Sequence, residues 1–223
     1  MTKVLVACEE SQRVCTSFRK RGHEAYSCDI ISCSGDHPEW HIMQDVLPLI
    51  NGKCEFETTD GIKHKIDGKW DMIIAHPPCT YLSNAGACRL YPQKGILNQT
   101  RYEKGLKAKE FFLKFLSADC ERICVENPVH CKVFNTPRHT QEIQPYMFGE
   151  PYTKKTRLWL KGLPPLRPTN IITENIQPFL PSGTGRKIRE KYGAAKRGND
   201  ARERSKTFWG IAEAMAEQWG AEE

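Results

Sequence analysis

The chain has 223 residues, 39% of them hydrophobic and 27% charged, with a formal net charge of +6. That length suits one sizeable core with at most a small appendage, and no apolar run is long enough to span a bilayer. The ten cysteines, in a chain whose N-terminus reads as a strand rather than an export signal, fit reduced thiols in the cytoplasm and not a disulfide framework.

In chain order, Lys3-Val4-Leu5-Val6-Ala7 reads as a first buried strand. Cys8-Glu9-Glu10-Ser11 follows as a turn, with Ser11 expected to cap a helix over residues 12–20. Gly22 ends that helix, and residues 24–28 form a second strand ending in Asp29. This β-α-β unit has the length used for nucleotide-type cofactors, and an acid at the end of the second strand is placed to bind ribose hydroxyls. Cys28, Cys33, His37 and His41 are spaced loosely like a zinc set. Cys28 belongs to a strand, however, and Gly35 and Pro38 interrupt the loop, so no metal is expected. Residues 41–46 read as a third strand with Asp45 at its end, placed to accept a bond from an exocyclic amine. Residues 54–66 read as a hairpin around Asp60-Gly61.

Trp70-Asp71-Met72-Ile73-Ile74-Ala75-His76-Pro77-Pro78-Cys79-Thr80 is the most informative stretch. A short buried strand ends in two prolines that stiffen the backbone just beyond it. In an open α/β sheet, ligands bind at the carboxyl ends of strands. Cys79 is therefore presented where chemistry occurs, and a thiol held there is a nucleophile if its pKa is lowered. The plainer alternative is a small apolar residue in a Pro-rich turn.

Residues 81–98 read as a loop able to close over a substrate, and residues 100–116 as a helix with Leu106, Phe111, Phe112 and Phe115 on its apolar face. Arg122-Ile123-Cys124-Val125 is another strand, ending in Glu126-Asn127-Pro128. Thr156-Arg157-Leu158-Trp159-Leu160 reads as a late strand. Five prolines make residues 163–181 irregular. Nine basic residues between Arg186 and Lys206, interleaved with glycines, then suit either phosphate contacts or a solvated loop. A closing helix over residues 205–219 places Phe208, Ile211, Ala212, Met215 and Trp219 on one face.

Pro78-Cys79 after one strand, Glu126-Asn127 after the next, and Thr153-x-Lys155-x-Arg157 on a later one resemble, in that order, the cytosine-C5 DNA methyltransferases. Those enzymes carry a Pro-Cys loop, a Glu-Asn pair and a Gln-x-Arg-x-Arg strand. The chain also looks like the short methyltransferase-like proteins of phages and prophages. The resemblance implies a doubly wound, mostly parallel α/β sheet of Rossmann-like type. It implies a catalytic core over residues 1–160 with a hairpin insertion at 51–69, a reduced Pro-rich and basic recognition region over 161–204, and a closing helix over 205–223.

The resemblance also implies roles. Cys79 would attack carbon 6 of cytosine, Glu126 would hold N3 and the 4-amino group, and Arg157 would hold O2. Pro78, Tyr81, Ser83, Asn127 and Lys155 fall on the substrate side. S-adenosylmethionine would lie against Ala7, Cys8, Glu9 and Ser11, with Asp29 and Ile30 at its ribose, Asp45 and Val46 at its adenine, and His76 and Pro77 beneath. The partner would be DNA, in the cytoplasm, or the host's cytoplasm for a phage-encoded chain. Three departures qualify this: the first loop has no glycine, the third motif keeps only its last arginine, and a full recognition domain is replaced by about forty-five residues, under the roughly 50 of a small domain. They leave open the same chemistry on a free cytidine mononucleotide, or a catalytically weak nucleic-acid-binding protein.

Overall fold

The structure is a computed structural model and describes residues 1–179 and 204–221. Its centre is a seven-stranded sheet. The strands are β1 (Lys3–Ala7), β2 (Glu24–Asp29), β3 (His41–Met43), β6 (Met72–Ala75), β7 (Ile123–Pro128), β8 (Gln141–Ile143) and β10 (Thr156–Lys161), in the order β3-β2-β1-β6-β7-β10-β8. The first five run parallel; β10 is antiparallel to both β7 and β8. The strand order reverses direction between β1 and β6, which makes their carboxyl ends the switch point of a Rossmann-like sheet.

The strands form because their residues suit burial on both faces. Val4 and Val6 of β1 point to one side and Leu5 and Ala7 to the other, and all four are fully buried. Helices α1 (Arg13–Arg19) and α4 (Trp209–Gly220) cover the first side through Val14, Phe18, Ile211 and Met215. Helix α3 (Gln99–Leu116) covers the second with Phe112 and Phe115. Its Asn98 cap accepts the Arg101 N–H at 3.0 Å. Gly105 lets this helix approach closely, because a Cβ there would collide with the Phe134 ring.

Several expectations need adjusting. Ser11 does not cap α1: Gln12 takes that position at φ 57°, and the Glu9 carboxylate accepts the Val14 and Cys15 N–H groups at 2.7 and 3.2 Å. A carboxylate reaching back to a helix start satisfies the same unpaired donors with more charge. The third strand stops at Met43, leaving Asp45 beyond it. The loop after Tyr81 contains a short helix α2 (Ala87–Leu90), and Leu106 is exposed. The hairpin forms as expected, as β4 (Cys54–Glu57) and β5 (Lys63–Ile66) in a sheet of their own. Strand β9 (Tyr152–Thr153) pairs with β11 (Gln177–Pro178). The basic stretch after Arg186 lies mostly outside the described residues.

Candidate active site

Three adjacent strands, β1, β6 and β7, each carry a titratable side chain just past or within their carboxyl ends: Glu9, His76 and Glu126. His76 Nδ1 donates to Glu126 Oε2 at 3.0 Å, and the side chains are only 8% and 11% exposed. Burial pushes Glu126 up. The bond from His76, that ring's charge and Lys154 outweigh it and hold the carboxyl below its ordinary value. For His76, burial opposes the charged ring, but the bond to Glu126 and the charges of Glu126 and Glu9 leave it titrating above an ordinary histidine. The other ring nitrogen, Nε2, is buried with no partner among the described residues.

Cys79 stands beside this pair. Its carbonyl accepts the Leu82 and Ser83 N–H groups at 3.1 and 2.8 Å, which folds the chain sharply after Pro77-Pro78. Burial pushes its thiol up, and the negative charge of Glu126 pushes it further; Lys154 and Arg204 oppose this. In this state the sulfur is a thiol, so its use as a nucleophile requires a proton acceptor.

The opposite face of β7 holds a neutral network. Asn127 donates through Nδ2 to the Pro77 carbonyl at 2.7 Å and to the Glu126 carbonyl at 3.0 Å. Its Oδ1 is an acceptor only, so His130 Nε2, 2.9 Å away, carries the hydrogen and Nδ1 accepts from Thr136 Oγ1 at 3.0 Å. Burial, then the charge of Arg157, lowers His130 to about 4. The network ties the loop carrying Cys79 to the end of β7.

Arg157 belongs to this second face. The register pairs Leu158 with Glu126 and Arg157 with Asn127, and directly opposed residues share a face. Arg157 Nε meets Glu142 Oε2 at 3.3 Å, and Lys155 meets the other oxygen of Glu142 at 3.4 Å. The structure thus brings Cys79 and Glu126 together but sets Arg157 and Lys155 apart from them. Among the described residues, the cation whose charge acts on Cys79, His76 and Glu126 alike is Lys154. Its Nζ donates to the Arg204 carbonyl at 3.0 Å. Sequence reasoning passed over Lys154 because the motif alignment singled out its neighbour.

The edge formed by β1, β2 and β3 is acidic. Cys8, at φ 58°, feels the charges of Asp29 and Asp45. A left-handed Cys8 and Gln12 give the glycine-free loop its turn, a conformation that glycine adopts at less cost. Burial raises the Asp29 carboxyl; its Oδ1 accepts the Ile31 N–H at 3.4 Å. Asp45 accepts the Leu47 N–H at 3.0 Å. Ile30 is 76% exposed beside them, while Ala7, Val46, Ser11 and Pro77 are buried. Of the zinc-like set, His41 bonds Ser27 and the Ile31 carbonyl, and His37 stacks on Trp40.

A solved structure of a candidate DNA modification methyltransferase encoded within an E. coli prophage is similar to this chain. The identity is 14%, the TM-score is 0.41, and the match covers 77% of this chain and 52% of that one. The chain therefore spans about half the length of that protein. No protein-family model and no curated protein matches the chain. The sheet, with its strand order and reversed β10, is Rossmann-like in form.

Next to the Cys79 loop runs an open groove of about 490 Å³, lined by Pro78, Tyr81, Lys104, Lys107, Ala108 and Phe111. The Tyr81 ring lies under Arg101 at 5.1 Å and Lys104 at 5.7 Å. Arg101 also donates to the Thr80 carbonyl at 2.7 Å, so α3 holds the loop as well as lining the groove. Ser83 is buried and pairs with His130 in an isolated bridge, which makes it part of the loop's support.

Proposed function

We propose that the chain is an S-adenosylmethionine-dependent methyltransferase acting on carbon 5 of cytosine in DNA. The observation that carries this is a half-buried thiol, Cys79, on the loop after β6, and a buried carboxylate, Glu126, near the end of the neighbouring strand β7. Carbon 5 of cytosine is too weak a nucleophile to take a methyl group unaided. Addition of sulfur to carbon 6 makes it enamine-like. In that step the Sγ–C6 bond forms and the C5=C6 pair moves to C4–C5. The C4=N3 pair moves onto N3, which takes a proton. The proton lost by Cys79 passes to Glu126 and from there to N3, so the step balances within the site. Lys154, rather than Arg157, is the cation facing the negative charge.

The donor set suits the cofactor. Asp29 offers a carboxylate to ribose hydroxyls, Ile30 an exposed apolar surface to adenine, and Asp45 an acceptor for its amine. The cofactor, when bound, supplies the methyl group from its sulfonium. The helix start at α1 is filled by Glu9, so it offers no anion site.

DNA is favoured over a free nucleotide by the groove beside Cys79. Lysines 104 and 107 suit phosphates and Tyr81 suits a flanking base. A target inside a duplex would first leave the stack. Incubation with cofactor and DNA containing 5-fluorocytosine tests the proposal: a covalent protein–DNA adduct is expected, and methyl transfer by a Cys79→Ala variant at the wild-type rate would overturn it. Methyl transfer to dCMP but not to DNA would move the substrate to the mononucleotide.

A further inference from the structure

We propose that His76 is the positioning partner of Glu126: it holds one carboxylate oxygen from behind, leaves the other for the target base, and keeps the carboxylate ionised to receive the Cys79 proton. The inference rests on the function proposed above and assigns His76 away from the cofactor side.

The geometry has four parts. His76 Nδ1 grips Glu126 Oε2 at 3.0 Å, with both side chains almost wholly covered. Among the described residues only Oε2 of the two oxygens is bonded, which leaves Oε1 as the acceptor for the base. His76 also lies at the switch point, its N–H bonded to the Ala7 carbonyl at 2.9 Å, which fixes it between the β1 and β7 residues. Its Nε2 is buried without a partner among the described residues, so no bond on that side of the ring competes with the grip on Glu126. Finally, two buried carboxylates act on one ring: Glu126 by direct bond and Glu9 through space. An imidazolium between two carboxylates leaves a net charge of −1, whereas two carboxylates and a neutral ring leave −2 in the same burial. The second arrangement is much costlier at low dielectric.

Among the described residues, the charged or titratable groups facing the pair come from these elements, and Cys124 of β7 also feels the charge of Glu126. From the end of β1 comes Glu9, whose carboxyl burial pushes up, opposed by the charge of His76, the Val14 and Cys15 N–H groups and Arg13. From the β6 loop comes Cys79, and from the turn before β10 comes Lys154. The segment before α4 contributes the Thr207 hydroxyl, 3.5 Å from His76 Nδ1, and Arg204, which acts on Cys79. Lys154 disfavours the imidazolium, and Glu9 and Glu126 favour it.

The chemical consequence concerns the free enzyme. A buried carboxyl without a cation is pushed up and protonates, and a protonated Glu126 cannot take the thiol proton. With His76 charged, Glu126 is ionised, accepts the proton from Sγ, and releases it to N3 as the Sγ–C6 bond forms. His76 retains its own proton throughout and touches no reacting atom.

The test combines a pH profile with a direct titration. His76→Gln keeps an N–H donor for Glu126 but removes the charge. The expected result is a kcat/KM on DNA lowered on the order of 10²-fold at pH 7, KM within about threefold, and an acid limb moved up by about one pH unit or more. Adduct formation with 5-fluorocytosine DNA should slow in parallel and recover at higher pH. An unshifted acid limb would overturn the proposal. Should the variant fail to fold, imidazole ¹⁵N signals of the wild-type protein decide the matter: a doubly protonated His76 ring at pH 7 supports the proposal, and a neutral ring overturns it. Absence of any adduct or methyl transfer by the wild-type protein would instead remove the proposed function, and the ¹⁵N result would still report on the pair.

Discussion

Two buried histidines follow adjacent strands and are shifted in opposite directions. His76, after β6, meets carboxylates and titrates above an ordinary histidine. His130, after β7, meets an amide oxygen, a hydroxyl and the stacked Trp159 ring, and is lowered to about 4. Burial disfavours the charge in both. What differs is whether a carboxylate or an arginine stands nearby, and that follows from which face of β7 each ring occupies. The Glu126 face is a charged site beside a thiol; the Asn127 face is a neutral brace for the loop that carries it.

The comparison breaks most visibly at Glu126. Glu126→Gln removes the acceptor for the thiol proton, and activity should fall about 10²–10⁴-fold while far-UV circular dichroism stays native. Asn127→Ala strikes the neutral brace. It strips the Pro77 carbonyl of a donor and leaves His130 Nε2 without an acceptor, so urea denaturation should show a loss of about 2–3 kcal/mol.

The two rings should also give opposite pH dependences. A histidine with a lowered folded pKa costs stability as pH falls from its unfolded value near 6.5 toward about 4, because only the unfolded chain takes up the proton. His130→Gln should therefore flatten the stability loss between pH 6.5 and 4 by about 3 kcal/mol. His76, with a raised folded pKa, contributes stability present below about 6.5 that is lost as pH rises through its folded value. The smallest expected effect sharpens the same contrast. Lys154→Gln should lower kcat about tenfold, near 1.4 kcal/mol, whereas Arg157→Gln, on the other face and paired with Glu142, should change it by less than about threefold. Steady-state methylation assays of the two variants side by side decide this.

Much of the fold was legible because its central strands are apolar runs closed by breakers: Val4–Ala7 with a turn after it, Met72–Ala75 with Pro77-Pro78 after it. That Cys79 and Glu126 lie at one edge of the sheet was legible for the same reason, since one follows β6 and the other sits near the end of its neighbour β7. Strands β8, β9 and β11 were not, being two or three residues long with no apolar alternation. The face taken by Arg157 was not legible either. It depends on the antiparallel register of β10 against β7, and a slip of one residue exchanges the faces. Motif spacing alone therefore ranked Lys155 and Arg157 above Lys154. Likewise, His76 gave no sign of its partner, because Glu126 is fifty positions away.

The most direct test of the central claim needs no cofactor. Addition of Cys79 to carbon 6 makes carbon 5 nucleophilic; carbon 5 takes up a proton from water, and loss of its original hydrogen with release of the thiolate restores the ring, so the protein should release tritium from DNA carrying [5-³H]cytosine into water, and Cys79→Ala should not. Equal release by wild type and variant, or none by a folded wild-type protein that binds the DNA, would contradict the account.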